Sequence, residues 1–388
     1  MDIMTYREQI PALADAIYLN TGTFGPSPVP VLDAIRHALD LIERHGPYSP
    51  LVRETVERAS YEETRREAAC LLGVDPAEIV LTRSASDGTN IIAHGLDWHP
   101  GDEVVITNEE HQSGMLPWFL LARRQGIKVR VADISPDPAL TLQNIADQVN
   151  ERTRLVFASH VSCISGIRLP VRDICALAHD QAVLAVIDGA HALGQFPVKM
   201  GDIGCDAYIG CGHKWLLGPQ GTSLLYIARE HLDTFQPSWI GWGAEEEWSI
   251  QMETQSYVLR GSARRFEFGT KQYPLFAGLG CAIKFIAGIG PEAIQAQVQP
   301  LARRAKARID EVPGWERLTP MEPDLCSGIV TIRLGQDTPD NIKELLWNSR
   351  RLLVNYFPPY RNLRFSIAFF TLQAEVDQAI AALLELGV

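Results

Sequence analysis

The sequence predicts an α/β fold with a large domain built on a mainly parallel seven-stranded sheet and a small α+β domain at the C-terminus. Seven short apolar or β-branched runs alternate with helix-length segments as far as Ile227, which is typical of a doubly wound parallel sheet. The alternation stops in a Trp-, Gly- and Glu-rich stretch at 237–265. With 388 residues, 46% of them hydrophobic, the chain is long enough to bury the core of both domains.

The individual elements follow from changes in the spacing of apolar residues. A turn-rich segment at 20–28 leads into two stretches of helical spacing, at 31–44 and 56–72. The strands predicted for the large sheet are 78–82, 103–107, 128–132, 154–159, 183–187, 207–209 and 222–227. Later segments predict helices at 275–288, 292–312, 339–351 and 374–386, and strands at 327–333 and 363–368. We therefore expect an N-terminal arm (1–20) that packs with the small domain, a large domain (21–265) and a small domain (266–388).

Charge and cysteine content argue against several classes of partner. The chain has 35 Lys and Arg against 47 Asp and Glu, a net charge of −12, so no basic surface for nucleic acid is expected. No apolar run is long enough to cross a bilayer, so we expect no membrane partner and a cytoplasmic location. The seven cysteines are scattered without a CxxC pair, which favours reduced, mostly buried thiols and no metal site.

Two polar residues stand where the chemistry of such a sheet is expected, just after predicted strands. Asp188 ends the run Val186-Ile187, and Lys214 lies between glycines in Gly210-Cys-Gly-His-Lys214-Trp. Each residue alone is common. Together they supply what pyridoxal phosphate chemistry needs, because Lys can form the Schiff base and Asp can keep the pyridine nitrogen protonated.

Four motifs in this order resemble the class V aminotransferase family, whose members have the pyridoxal-phosphate (PLP) fold type I: SHV at 159–161, DGA at 188–190, GHKW-x-x-GP at 212–219 and RFE-x-GT at 265–270. Within the family the chain most resembles the cysteine desulfurase-like C–S lyases that act on L-cysteine and L-cystine. The segments that carry this likeness are 46–49, 95–102 and 212–215. The resemblance implies PLP as cofactor and an amino acid as substrate.

The resemblance also implies roles for residues at the matching positions. Lys214 is the Schiff-base lysine, Asp188 the partner of the pyridine nitrogen, and His111 the histidine that stacks on the cofactor ring and takes part in catalysis. Ala85 and Ser86 match the phosphate-binding turn. A helix N-terminus favours phosphate there, although an ordinary N-cap serine would give the same pattern.

Further positions complete the implied site. His213 matches another phosphate contact, and Thr270 a residue that the family supplies from the neighbouring subunit, which implies a homodimer with shared active sites. Arg364 matches the arginine that binds the substrate α-carboxylate, a role that suits its paired N–H donors. The segment formed by Asn20, Thr21 and Gly22 matches a loop that approaches the substrate.

Departures from the family pattern bear on the reaction. Cysteine desulfurases carry a nucleophilic Cys shortly before the carboxylate-binding Arg, whereas this chain has no Cys after Cys326. Cys163 replaces a common cofactor-binding Asn, His191 replaces a common Gln, and Asn355 replaces a second Arg of the cystine lyases. The missing Cys favours β-elimination from cysteine, cystine or an S-substituted cysteine, giving pyruvate, ammonia and a sulfur-containing product. The changes at Cys163 and His191 alter the implied cofactor contacts and weaken this assignment, and Asn355 disfavours a substrate with a distal carboxylate such as cystine.

Two groups of alternatives remain open from the sequence. The same cofactor chemistry serves aminotransferases, desulfurase-like enzymes and isopenicillin N epimerase-like enzymes on other amino acids. A non-catalytic binding protein on this fold is a remote alternative, because Lys214 and Asp188 are both present.

Overall fold

The computed structural model describes residues 3–388, in which there are thirteen α-helices and thirteen β-strands, besides short 3-10 and π-helical segments, and most of these elements follow the predicted order. The strands are β1 (Ile17–Tyr18), β2 (Ile79–Thr82), β3 (Glu103–Thr107), β4 (Lys128–Ala132), β5 (Thr153–Ser159), β6 (Leu184–Asp188), β7 (Ala207–Ile209), β8 (Ser223–Ile227), β9 (Glu316–Arg317), β10 (Ile329–Arg333), β11 (Leu352–Leu353), β12 (Asn355–Phe357) and β13 (Asn362–Ser366). The α-helices are α1 (Ile3–Arg7), α2 (Val29–His45), α3 (Pro50–Val52), α4 (Tyr61–Leu72), α5 (Ala85–Gly95), α6 (Gln112–Gln125), α7 (Pro138–Ala146), α8 (Val171–Asp180), α9 (Met200–Ile203), α10 (Tyr273–Ile289), α11 (Pro291–Asp310), α12 (Ile342–Arg350) and α13 (Gln373–Glu385).

The large sheet has seven strands in the order β2-β8-β7-β6-β5-β3-β4. All neighbouring pairs are parallel except those of β8, which runs antiparallel to both β2 and β7. The central strands are buried along nearly their whole length, as expected where helices cover both faces of a parallel sheet. The predicted mainly parallel seven-stranded sheet is therefore confirmed.

The strand that carries Asp188 ends one residue later than the apolar pattern predicts. Asp188 is the last residue of β6, and it is in register with Ser159 at the end of β5 and with Ile209 at the end of β7. Three strand ends therefore lie side by side at one edge of the sheet. The second predicted helix, at 56–72, also differs, because a π-helical stretch (Arg53–Ser60) leads into α4.

The small sheet is antiparallel, with the order β12-β13-β10-β9. The N-terminal segment reaches this region, since β1 pairs in parallel with β11 and Arg7 donates hydrogen bonds to Glu375 and to the carbonyl of Phe370. Helix α10 packs mainly against α2 and α4. The boundaries between the domains stay a prediction.

Three further features concern residues 3–388 as a whole. No single helix there is long and apolar enough to span a membrane; only the consecutive helices α10 and α11, which meet at 73°, satisfy length and composition when taken together. In the same range no cluster of three or more His, Cys, Asp or Glu side chains could hold a metal ion. All seven cysteines are free, and five of them are buried.

Candidate active site

A cavity of about 250 Å³ opens at the carboxyl ends of the parallel strands, where α/β sheets bind their ligands. The segments that follow β2, β3, β5, β6 and β7 form its floor, and the turn at 22–24 and strands β12 and β13 close it. Its wall consists of Gly22, Thr23, Phe24, Ser84, Ala85, Ser86, His111, Ser113, Ser159, Val161, Cys163, Asp188, Ala190, His191, Cys211, His213, Lys214, Asn355, Phe357 and Arg364.

The amine of Lys214 is oriented by a buried histidine. Its Nζ lies 3.0 Å from His191 Nε2, and the Trp215 indole nitrogen lies 3.3 Å from His191 Nδ1. An indole N–H can only donate, so Nδ1 accepts from Trp215, and Nε2 is the ring nitrogen that faces the Lys214 amine. Burial, together with the charges of Lys214 and Arg364, holds the pKa of His191 well below its usual value. These two contacts hold the His191 ring in one orientation beside the Lys214 side chain.

Asp188 is a buried carboxyl with a single hydrogen-bond partner. It is 5% exposed, and Oδ1 accepts from the N–H of Ala190 at 2.8 Å. Burial raises the pKa of this carboxyl, while the nearby charge of Lys214 opposes the rise. Because burial of a carboxylate is costly without a cation, the site favours a positively charged group beside Asp188.

His111 lies across the cavity at the start of α6. Its Nδ1 accepts from the N–H of Ser113 at 3.2 Å and lies 2.5 Å from the Ser113 hydroxyl, so this ring carries its proton on Nε2. Enclosure by the cavity walls and the positive charges of Lys214 and Arg364 lower the pKa of His111 to about 4. The imidazole is therefore neutral at physiological pH.

One end of the cavity is suited to an anion. Helix α5 begins at Ala85, so the backbone N–H groups of Ala85 and Ser86 have no partners within the helix and form the positive end of its dipole. The N-cap Ser84 accepts from the N–H of Asp87. His213 borders this region, and its ring packs against Phe24 with centroids 5.4 Å apart.

Arg364, at the other end of the cavity, is held by hydrogen bonds to two oxygen atoms. Its guanidinium donates to the carbonyl of Cys163 at 2.8 Å and to the Thr23 hydroxyl at 3.0 Å, while its buried Nε has no partner. The turn before Thr23 must contain glycine, because a Cβ on Gly22 would lie 2.8 Å from the Ser366 hydroxyl. Asn355 is the register neighbour of Arg364 on β12 and also faces the cavity.

The sequence profile of the family described as Aminotransferase class-V matches residues 17–356. The chain belongs to the class V aminotransferase family. It is a PLP-dependent enzyme with the fold type I architecture that its motifs predicted.

Three similar proteins illustrate the range of reactions on this fold. The chain is 32% identical over 88% of its length to a probable cysteine desulfurase of Methanothermobacter thermautotrophicus, covering 83% of that protein. It is 31% identical over 95% of its length to an isopenicillin N epimerase of Streptomyces clavuligerus, covering 94% of that protein. A solved complex of the cystine C–S lyase C-DES with cysteine persulfide superposes with a TM-score of 0.89 at 26% identity, covering 97% of this chain and 99% of that one.

The residues of this class V chain fit the family cofactor. The buried carboxyl of Asp188 suits a protonated ring nitrogen, the N-terminus of α5 suits a phosphate, and the Lys214 amine is accessible from the same cavity. Cys163 and His191, which replace common family residues, both line this cavity and are buried.

Most of the residues predicted from the sequence lie in the cavity wall, but three do not. Asn20 and Thr21 do not line the cavity. The Asn20 side chain accepts a hydrogen bond from the Thr23 hydroxyl, and the buried Thr21 hydroxyl has no hydrogen-bond partner among the described residues. Thr270 lines a separate cavity of about 480 Å³ beside Lys271. Its place in the site of a neighbouring subunit stays a prediction.

Several residues of the site were not predicted from the sequence. Thr23 and Trp215 adjoin predicted residues, but nothing in the local pattern shows that their side chains turn toward Arg364 and His191. Phe357 also lines the cavity, and no sequence pattern indicates it. Glu110 directly precedes His111 and follows buried strand β3 by three residues, so its place near a strand end is the signal that could have found it.

Proposed function

We propose that this enzyme is a C–S lyase that catalyses β-elimination from cysteine, cystine or an S-substituted cysteine. Substrate and water are converted into pyruvate, ammonia and a thiol or persulfide that retains the sulfur and its substituent. Bound PLP supplies an electron sink that stabilises negative charge at the substrate α-carbon. The protein must bind the α-carboxylate, remove the α-proton and avoid capturing the sulfur itself.

Lys214 and its neighbours are suited to the proton transfer. Lys214 Nζ lies 3.0 Å from His191 Nε2, and this contact holds the amine in one orientation within the cavity, as a positioned base requires. Asp188 would hold the ring nitrogen protonated, and Arg364 would pair with the α-carboxylate through its fixed guanidinium. These residues provide a base and a carboxylate anchor in one cavity.

The observation that carries elimination over desulfuration is the state of the cavity thiols. Cys163 and Cys211 are the cysteines in the wall, and both are buried. Burial raises the pKa of Cys163 to about 11 and also raises that of Cys211, so both remain protonated thiols. A sulfur acceptor has to be a thiolate. Elimination needs no such acceptor, because the sulfur leaves with its own substituent.

The wall near Arg364 favours a substrate whose distal end is uncharged. Among the described lining residues the cations are Lys214 and Arg364, and both have assigned roles. Asn355 offers a neutral amide beside Arg364, and the Phe357 ring centroid lies 5.6 Å from the Arg364 guanidinium carbon. We therefore propose that S-alkyl cysteines are processed better than cystine, whose second carboxylate meets no free cation in this wall.

The test is a product assay on the PLP-loaded enzyme with L-cysteine, L-cystine and S-methyl-L-cysteine. We expect pyruvate and ammonia in equal amounts, with the highest kcat/KM for S-methyl-L-cysteine. Alanine in place of pyruvate would show desulfuration and contradict the proposal. Replacement of Asn355 by Arg should raise kcat/KM for cystine relative to S-methyl-L-cysteine if the distal carboxylate is the cause.

Epimerisation at the α-carbon is a second candidate, favoured by the neutral His111, which lines the same cavity as Lys214. Its Nε2–H could return a proton to the substrate, and one relative of similar identity is an isopenicillin N epimerase. The same assay in D₂O separates the two functions. Recovered substrate with inverted configuration and deuterium at the α-carbon would establish epimerisation, whereas unchanged configuration with pyruvate supports the lyase.

We further propose a homodimer that shares its active sites. Thr270 lies in a cavity other than the one that holds Lys214, and the segment 239–252 exposes apolar side chains suited to an interface: Trp239 is 74% exposed, Trp242 67%, Trp248 92% and Met252 79%. Light scattering should give twice the chain mass. If Thr270 completes the partner's site, then mixing and reassembling inactive Lys214→Ala chains with Thr270→Ala chains should restore activity. A monomer with full activity would exclude sharing.

A further inference from the structure

Glu110 is a buried carboxyl that connects two strand ends beside the cofactor site. It is 1% exposed and immediately precedes His111. Its Oε1 accepts from the Thr107 hydroxyl at 2.6 Å and from the N–H of Ser159 at 2.8 Å, and its Oε2 lies 2.6 Å from the Ser159 hydroxyl. The side chain therefore ties the loop that carries His111, after β3, to the end of β5.

The other end of this connection leads to Asp188. Ser159 is the register partner of Asp188 on the neighbouring strand, so the two carboxyl groups occupy adjacent strand ends. No hydrogen-bond partner of Glu110 is a cation. Burial and the negative charge of Asp188 raise the pKa of Glu110 to about 7, against the hydrogen bonds from Ser159 and Thr107.

The remaining groups around Glu110 do not neutralise it. Cys163, in the loop after β5, is a buried thiol whose pKa is raised in part by Glu110 and Asp188. His111, on the same loop, is a neutral imidazole. On helix α6, Gly114 faces Glu110, and a Cβ there would lie 3.3 Å from Glu110 Oε2. Asp188 is therefore the charged group that most affects the ionisation of Glu110.

We propose that Glu110 is a positioning residue that holds a proton against Ser159 while the ring site at Asp188 is empty and releases it to solvent when a cationic ring nitrogen neutralises Asp188. Either form keeps the connection: the protonated carboxyl donates to the Ser159 hydroxyl, and the ionised carboxylate accepts from it. His111 thus stays in place while the charge beneath the cofactor changes. This inference rests on the family cofactor and is independent of the proposed lyase reaction.

The test measures PLP affinity of the apoprotein by fluorescence titration from pH 6 to 8.5, for wild type and Glu110→Gln. The glutamine oxygen can accept from Thr107 and Ser159 while its NH₂ donates to the Ser159 hydroxyl, so it imitates the protonated acid. Only the wild type can ionise. The ratio of the variant Kd to the wild-type Kd should rise by about threefold or more from pH 6 and level off above the pKa of about 7, because PLP binding releases a proton only between the lower pKa of the loaded protein and the pKa of the apoprotein.

The stability of the apoprotein gives a second readout. The folded pKa of Glu110, about 7, lies above that of an unfolded glutamate, so the folded state binds more protons between these values and loses stability as pH rises through them. The Tm of Glu110→Gln minus that of wild type should therefore increase from pH 5 to pH 8. Loading with PLP should reduce this increase.

Glu103→Gln is the matched control. Glu103 is an equally buried carboxyl at the opposite end of β3, where Arg130 and Asn150 donate to it and hold its pKa low, at about 2. Its substitution can lower stability but should leave the pH dependence of PLP affinity as in wild type. A constant Kd ratio for Glu110→Gln from pH 6 to 8.5 would overturn the proposal.

A second variant, which keeps Glu110, tests the proposal even if Glu110→Gln does not fold. Thr107→Val removes one donor to the carboxylate without changing side-chain volume much, which raises the pKa of Glu110 further. The pH at which PLP affinity improves should then move upward relative to wild type. An unchanged midpoint in a folded Thr107→Val protein would also overturn the proposal.

Discussion

Replacement of Lys214 by Ala should lower turnover by about 10⁴-fold or more, because this residue supplies both the covalent attachment and the base. The change removes the amine that lies 3.0 Å from His191 Nε2. Borohydride treatment of the PLP-loaded wild type should fix the cofactor to the peptide that contains Lys214, as seen by mass spectrometry. The alanine variant should show no such label.

Lys199→Ala is the control for the loss of a lysine. Its Nζ donates only to the backbone carbonyls of Cys70 and Leu71, away from the cavity. That variant should keep wild-type turnover and the same borohydride label. Turnover of Lys214→Ala within tenfold of wild type would rule out the assigned role of the lysine.

Replacement of Asp188 by Asn should lower kcat by about 10²–10³-fold, the range seen when one preorganised electrostatic contact is removed. Asparagine can still accept from the N–H of Ala190, so the local fold should persist. What is lost is the negative charge that would keep the ring nitrogen protonated. A cofactor analogue methylated on that nitrogen is permanently cationic and should restore part of the lost turnover.

Asp206→Asn provides the comparison for Asp188→Asn. Asp206 is also buried, but it precedes β7 at the opposite edge of the sheet, where it accepts from the N–H of Ala185 and contacts His179 and His231. That variant should lower Tm with little change in kcat. If Asp188→Asn retained kcat within threefold of wild type, the carboxylate would not be the partner of the ring nitrogen.

Much of the fold could be predicted because buried parallel strands have a strong local signal. The run 183–187 is apolar throughout, the run 154–159 is apolar at its four central residues, and both are bounded by helical spacing. The strands that were missed, such as β1, β9 and β11, have only two residues each and no period to detect. Their pairing depends on partners far away in the chain.

The residues of the candidate site also divide into those with a local sequence signal and those without one. Lys214 and Asp188 follow strands and could be found from their positions, and Arg364 could be found only through family resemblance. The contact of Thr23 with Arg364 joins residues 341 positions apart, and that of Glu110 with Ser159 joins residues 49 apart. Such contacts arise from the packing of whole elements, and neither propensity nor spacing encodes them locally.

The N-terminal strand has consequences for how the protein is made. Ile17 and Tyr18 pair with Leu352 and Leu353, and the following turn supplies the Thr23 hydroxyl that holds Arg364. This strand can therefore pair only after the chain has been synthesised beyond residue 353. The contact between Thr23 and Arg364 likewise forms only after residue 364 has been translated, so this part of the cavity is completed late in synthesis.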